Sequence, residues 1–183
     1  MDCDVLILAG IWNSGPTHWQ THWEHKHPGW TRVAHRDWNN PKCDEWVAEL
    51  DAAIAGCEGT PILVAHSLSC SMLAHWAQSG SQLKIAGAFM VAPADPEGAA
   101  FPVEANGFAP MPLAKLPFPS VVVASADDGF VSIERARQFA QAWGSRLVEL
   151  GAGGHVNGDS GYGEWPEGEK MLEAFCAELA KDV

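Results

Sequence analysis

Positive charge is scarce in this chain. Eleven Lys and Arg stand against twenty-three Asp and Glu in 183 residues, a formal net charge of −12. Nucleic-acid binding needs basic patches to neutralise phosphate, and adhesion to anionic membrane surfaces needs the same, so neither partner is expected. No apolar run approaches the roughly 20 residues of a membrane span. The start, Met1-Asp2-Cys3-Asp4, is acidic; it lacks the basic and then apolar pattern of a secretory signal and is not expected to be one. Cysteine is sparse and irregular. Cys3, Cys43, Cys57, Cys70 and Cys176 are odd in number and form no Cys-x-x-Cys pair, so a cytoplasmic protein with reduced thiols is expected. Internal repeats, low-complexity tracts and an obvious linker are all missing, which leaves a single domain over residues 1–183 with enough length for a sizeable core.

What is present is an alternation of short apolar runs and helix-patterned segments. Strands are expected at 4–9, 31–36, 61–65, 85–92, 120–125 and 146–150. Helices are expected at 17–26, 43–56, 68–78, 132–144 and 166–182, the fourth capped by Ser132 and the last carrying Pro166 in its first turn. Such alternation predicts an α/β fold with about six mostly parallel strands and helices on both faces. Residues 94–119 break the rhythm. They hold six of the chain's twelve prolines and little helical periodicity, which points to a lid or pocket segment. Tryptophan is unusually frequent, nine residues with seven before residue 77; aromatic packing of helices onto the sheet explains this better than an aromatic wall for an apolar ligand.

The most informative stretch is Val64-Ala65-His66-Ser67-Leu68-Ser69-Cys70. A buried strand stops at a serine flanked by small residues and turns at once into a helix. This is the layout of a nucleophile elbow, with Ala65 and Ser69 in place of the two usual glycines. The competing reading is a serine that merely caps a helix. In parallel sheets, ligands bind beyond the carboxyl ends of the strands, so the residues just after each strand carry the most information. Ser67 comes after the third, Ser125-Ala126-Asp127-Asp128 after the fifth, and Gly153-Gly154-His155 after the sixth. The order Ser, Asp, His is that of α/β-hydrolases. The chemistry needs these three types. A serine hydroxyl is a weak nucleophile without a base, imidazole exchanges a proton near neutral pH, and a carboxylate holds the imidazole in one tautomer.

The acid is open between the adjoining Asp127 and Asp128, with Asp95 after the fourth strand as a third candidate. Whichever member of the pair is not the acid is expected to cap the turn before the helix that starts at Ser132. Two backbone N–H donors are needed for an oxyanion; Leu68, next to the serine, and Ile11, in the loop after the first strand, are expected to supply them. Gly10 leaves room for that approach. The same loop has no Gly-Lys-Ser/Thr and the wrong spacing for Gly-x-Gly-x-x-Gly, so no phosphate loop and no cofactor is expected. His18 and His22 have a zinc-compatible spacing but no matching ligand set, and no metal is expected. Cys70, beside the elbow, is expected to be a buried helix residue.

Gly10 with Asn13-Ser14-Gly15-Pro16-Thr17-His18-Trp19-Gln20 and Trp23-Glu24 closely resembles the opening of a family of small serine hydrolases typified by the YdeN proteins and retinoblastoma-binding protein nine. So do Ala65-His66-Ser67-Leu68, Ser125-Ala126-Asp127-Asp128, and Gly154-His155-Val156-Asn157 with Ser160-Gly161-Tyr162-Gly163-Glu164-Trp165-Pro166. The resemblance spans nearly the whole chain. It implies a minimal α/β-hydrolase and a triad of Ser67, Asp128 and His155, because Asp128 matches the second acid of the family's stretch. Ser69 stands where the family usually has glycine, and Gly129 where it usually has proline. The function implied is hydrolysis of a small ester or amide through an acyl-enzyme. The alternative is a protein-interaction module on a hydrolase scaffold, although nothing in the sequence indicates a protein partner. Trp12, Phe108 and Met111 are the expected pocket residues. Phe108 and Met111 come from the 94–119 segment, where Phe101, Val103 and Leu113 add further apolar bulk.

Overall fold

The computed structural model describes residues 4–181. Asp4 is therefore the only part of the acidic start within it, and Asp182, the expected end of the last helix, lies outside. Among the described residues, six strands and five helices alternate except that no helix separates the fourth and fifth strands: β1 Val5–Leu8, α1 Trp19–Lys26, β2 Trp30–Arg32, α2 Cys43–Ala55, β3 Ile62–His66, α3 Leu68–Trp76, β4 Gly87–Val91, β5 Ser120–Ala124, α4 Ile133–Trp143, β6 Arg146–Glu149 and α5 Pro166–Leu179. All strand pairs are parallel, in the order β2-β1-β3-β4-β5-β6. The expectation of a mostly parallel sheet thus becomes a wholly parallel one.

Continuous apolar strands are what a sheet covered on both faces requires. Along them the side chains still alternate. Leu6, Leu8, Leu63, Ala65, Ala88 and Met90 pack into the core under α2, α3 and α4. Val5, Ile7, Ile62, Val64, Phe89 and Val91 pack into the core under α1 and α5. The tryptophans serve these cores: Trp46, Trp76 and Trp143 lie in the first, and Trp19, Trp23, Trp30 and Trp165 in the second. Local signals set the helix ends. Ser132 accepts the Arg135 N–H at the start of α4, and Gly144, with φ 72°, closes it in the left-handed region. Among the described residues, no helix is long and apolar enough to cross a membrane.

The sheet order fixes where a site can form. From β1 the chain steps outward to β2, then returns to place β3 on the other side of β1. The loops after β1 and β3 therefore diverge at one sheet edge, a topological switch point. The segment 94–119 leaves the same edge after β4 and runs back over the α2–α4 face. It is tied down there: Cys43 N–H donates to Asn106 C=O, the His75 ring nitrogen lies 2.8 Å from Phe108 C=O, and Trp143 Nε1–H donates to Pro112 C=O.

Candidate active site

Ser67 sits between β3 and α3 with φ 59° and ψ −120°. A non-glycine residue at positive φ is uncommon and costly, and it persists where the surroundings impose it. Ser67 occupies the N-cap position of α3, yet its side chain makes no capping bond. Its Oγ instead lies 2.8 Å from His155 Nε2. The reading of Ser67 as a mere helix cap therefore does not hold. Ser69, fully buried, donates its hydroxyl to Ala9 C=O. The serine that replaces glycine at this position thus staples the first turn of α3 to the end of β1.

His155 is carried by the loop after β6. Its Nδ1 is 2.9 Å from both carboxylate oxygens of Asp128, whose side chain is fully buried. Asp128 Oδ1 also accepts the Phe130 N–H at 2.8 Å, and the Phe130 ring packs 4.5 Å from the His155 ring. Asp128 is thus fixed by its own turn, and Gly129, where a proline would stiffen the chain, is not needed for that. Asp127 points elsewhere. Its Oδ1 accepts the Gly154 N–H at 2.8 Å, so it holds the loop that carries His155. This corrects the expectation that the aspartate not paired with the histidine caps the turn before α4; Asp128 itself accepts the Phe130 N–H there. Ser125 donates to Gly154 C=O as well. Gly154 has φ 55°, a conformation that suits glycine at this tight point. Asp95 forms a forked ion pair with Arg135, 2.8 and 2.9 Å, and is not joined to His155.

The loop after β1 closes a turn in which Asn13 N–H donates to Gly10 C=O, and Trp12 N–H donates to Trp38 C=O. A Cβ on Gly10 would stand 3.1 Å from Ser67 Cβ and 3.2 Å from His66 C=O. A side chain here would crowd the elbow, and glycine lets the loop approach it without a shift. Leu68, as the first residue of α3, has an N–H with no intrahelical acceptor. Ile11 and Leu68 both line the cleft beside Ser67.

That cleft has a volume of about 420 Å³. Trp12 lines it and is 55% exposed. Phe108 and Met111 do not line it. At 1% and 3% exposed they are buried in the core against α2 and α3, which corrects their assignment to the pocket. From the 94–119 segment, Phe101 and Pro102 reach the cleft instead. Apolar character signals burial in both cases; it does not say on which side of the segment the ring will fall.

Several further residues hold this arrangement; they fall in the family-like stretches, but nothing else in the sequence marks their roles. Gln20, fully buried in α1, donates to Leu8 C=O and Val64 C=O and accepts from Ser14 Oγ. One amide thereby joins β1, β3 and the loop between β1 and α1. Trp19 Nε1–H donates to Val156 C=O, next to His155. The His66 ring nitrogen Nε2 lies 2.9 Å from His155 C=O, a contact that requires the proton on Nε2. Burial pushes the His66 imidazole well below its ordinary pKa, and the nearby His18 and His155 add to this. Burial likewise drives the Cys70 thiol up, which leaves it a poor thiolate source beside the serine. Of the helix-α1 histidines, His18 caps the helix through Nδ1 and His27 pairs with Glu169 at 2.6 Å.

The serine hydrolase family model matches residues 5–174. Among solved structures, a YdeN-like hydrolase from Pectobacterium atrosepticum is 33% identical, with 97% of this chain and 92% of that one covered at a TM-score of 0.85. The ydeN gene product of B. subtilis is 20% identical, covering 96% and 99% at a TM-score of 0.80. Thermogutta terrifontis esterase 2 is 18% identical, covering 97% and 83% at a TM-score of 0.70. The last two likenesses speak for the fold alone. No curated protein matches the chain.

Proposed function

Since the chain belongs to the serine hydrolase family, we propose that it cleaves a small ester, with Ser67 as nucleophile, His155 as general base and acid, and Asp128 as the partner of the imidazole. The observation that carries this reading is the unbroken chain from Asp128 through His155 to Ser67 Oγ, at 2.9 and 2.8 Å, ending on a residue held at positive φ.

His155 Nε2 takes the Ser67 proton as Oγ attacks the carbonyl carbon. The negative charge that develops on the carbonyl oxygen is met by the Ile11 and Leu68 N–H groups. His155 then delivers the proton to the leaving oxygen, the carbon–oxygen bond breaks, and the acyl group remains on Ser67. Water repeats the sequence: His155 removes its proton, the acid leaves, and Ser67 regains its hydrogen. Asp128 accepts the Nδ1–H throughout, so that Nε2 is the free nitrogen in the resting state. One proton leaves on the alcohol and one enters from water, and His155 carries both. Phe101, Pro102 and Phe130 offer an apolar surface for a short acyl group.

Reaction with a fluorophosphonate probe and hydrolysis of p-nitrophenyl acetate test the proposal. Labelling should map to Ser67, and Ser67→Ala or His155→Ala should lower kcat on the order of 10³-fold or more. Wild-type turnover in Ser67→Ala would overturn the assignment. A wild-type protein that is neither labelled nor active would favour an interaction module on this scaffold.

A further inference from the structure

The loop after β1 is held in an unfavourable shape. The bond from Asn13 N–H to Gly10 C=O, 3.1 Å long, closes a tight turn with Ile11 and Trp12 at its centre. Trp12 has φ 64° and Asn13 φ 66°. Where the third residue of a turn is at positive φ, glycine or asparagine usually fills it. A tryptophan there is costly, and a second non-glycine residue at positive φ beside it adds to the cost. Such a shape persists only where the surroundings impose it. The Ile11 N–H proposed for the oxyanion belongs to this turn, so whatever imposes the shape also aims that donor.

Arg32 ends β2, the edge strand beside β1. It does not line the cleft, yet its guanidinium holds the loop from outside. Nη1–H donates to Asn13 Oδ1 and to Ser14 C=O, both at 2.9 Å. Asn13 Oδ1 also accepts the Ser14 N–H at 2.8 Å, so the side chain that Arg32 grips is folded back on its own backbone. The other arm of the guanidinium is anchored on α1, where Nη2–H donates to Thr21 Oγ1 at 2.8 Å and pairs with Glu24 at 2.7 Å. The Thr21 hydroxyl in turn donates to Ser14 C=O at 3.0 Å. The Arg32 side chain is only 13% exposed, so these bonds are shielded from water and salt far better than those of a surface ion pair. A planar fork with fixed donors can hold two loop acceptors and an anchor at once, which an ammonium group cannot.

Resting on the esterase reading above, we infer that Arg32 is a positioning residue for the oxyanion hole: by clamping Asn13 and Ser14 to α1, it keeps the Trp12–Asn13 backbone at positive φ and thereby aims the Ile11 N–H. Arg32 touches no reacting atom and acts through the loop. Its loss therefore weakens the hold on the charged tetrahedral intermediate more than the binding of the uncharged ester.

The test measures p-nitrophenyl acetate hydrolysis by the full chain in wild type, Arg32→Ala and Asn13→Gly, with active sites counted by fluorophosphonate labelling. Removing one oxyanion donor outright costs about 10²–10³ in kcat, so a misaimed donor should cost less. Arg32→Ala should lower kcat per labelled site by about 10-fold or more, with KM within about threefold of wild type. Asn13→Gly removes the oxygen that Arg32 grips, suits the positive φ, and leaves the ties of Arg32 to Thr21 and Glu24 in place; it should lower kcat by about threefold or more. Affinity for a short alkyl boronic acid, whose adduct with Ser67 is tetrahedral and charged, should fall by about the same factor as kcat/KM. Guanidinium at low, non-denaturing concentration should restore part of the lost kcat in Arg32→Ala, and sodium chloride at equal ionic strength should not. A merely structural loss would lower the melting temperature and the number of labelled sites, but not kcat per site or boronate affinity. Wild-type values of those two quantities in Arg32→Ala overturn the inference and leave the hydrolase reading intact. Where Arg32→Ala does not fold, Asn13→Gly decides by the same two quantities. A wild-type protein with neither turnover nor labelling removes the hydrolase reading and this inference with it.

Discussion

Lowering the pH from about 7 to about 5 is expected to destabilise the protein through His18 in particular. In the folded chain, burial, the Arg32 charge and His155 hold this imidazole at about 3, against an ordinary value of 6.5. In the unfolded chain it titrates normally. Between those two values the unfolded state binds one proton more than the folded state, so stability rises with pH and is lost as the pH falls. The native value lies well below pH 5, so only the unfolded state takes up the proton over this interval. The cost then comes to about 2 kcal/mol from His18 alone. Urea unfolding of the wild type and His18→Asn at both pH values, monitored by tryptophan fluorescence, isolates this contribution. Carboxylates and His35 respond in both proteins and largely cancel in the comparison, whereas His66, whose imidazole is itself lowered in part by His18, adds to the difference. Wild type should lose about 2 kcal/mol more than the variant, which for a urea slope of about 1–3 kcal/mol/M is a midpoint difference on the order of 1 M. Parallel losses in the two proteins would show that His18 is protonated or solvated in the native state, and would refute the neutral, buried imidazole.

The two adjoining acids should separate in kinetics. Asp128→Asn should reduce kcat on the order of 10³-fold or more by spoiling the imidazole tautomer, whereas Asp127→Asn, which keeps an oxygen for the Gly154 N–H, should stay close to wild type; the reverse pattern would move the role to Asp127. The two phenylalanines of the 94–119 segment should separate as well. Phe101→Ala is expected to shift preference among acyl chain lengths with little change in melting temperature. Phe108→Ala is expected to cost about 3–5 kcal/mol in chemical denaturation with the chain-length profile retained.

Those contrasts mark where the legibility of the sequence stops. Strands are legible because a covered parallel sheet demands unbroken apolar runs such as Val5–Leu8 and Ile62–His66, and their ends differ from expectation by one or two residues in most cases. β2 differs more. Expected at 31–36, it is the short strand Trp30–Arg32, because an edge strand needs little apolar character. Ser67, His155 and the pair Asp127-Asp128 are legible because strand order alone brings the loops after β3, β5 and β6 to one edge. Side-chain direction is not legible. Asp127 and Asp128 are the same residue type one position apart, and only the turn that Phe130 N–H closes on Asp128 decides which carboxylate meets the imidazole. Phe101 and Phe108 are likewise alike in type and opposite in surroundings.

Buried polar residues are the least legible of all, since Gln20 and His18 have the composition of a solvated helix start. Their burial arises from the partners waiting for them. The carbonyls of Leu8, at the end of β1, and of Val64, in β3, accept from the Gln20 amide. Trp19, one residue earlier, reaches the carbonyl beside His155. Helix α1 therefore grips the strand before the serine and the loop that bears the histidine within two consecutive residues. The abundance of tryptophan in this part of the chain, which composition presents as packing alone, thus also supplies hydrogen bonds, from Trp19 to Val156 C=O and from Trp23 to Glu164 C=O, on the segment that follows His155. A segment that contributes none of the proposed reacting groups is accordingly hydrogen-bonded to the elements that carry two of them, and His18, whose Nε2 is without a hydrogen-bond partner among the described residues, sits within that same short stretch.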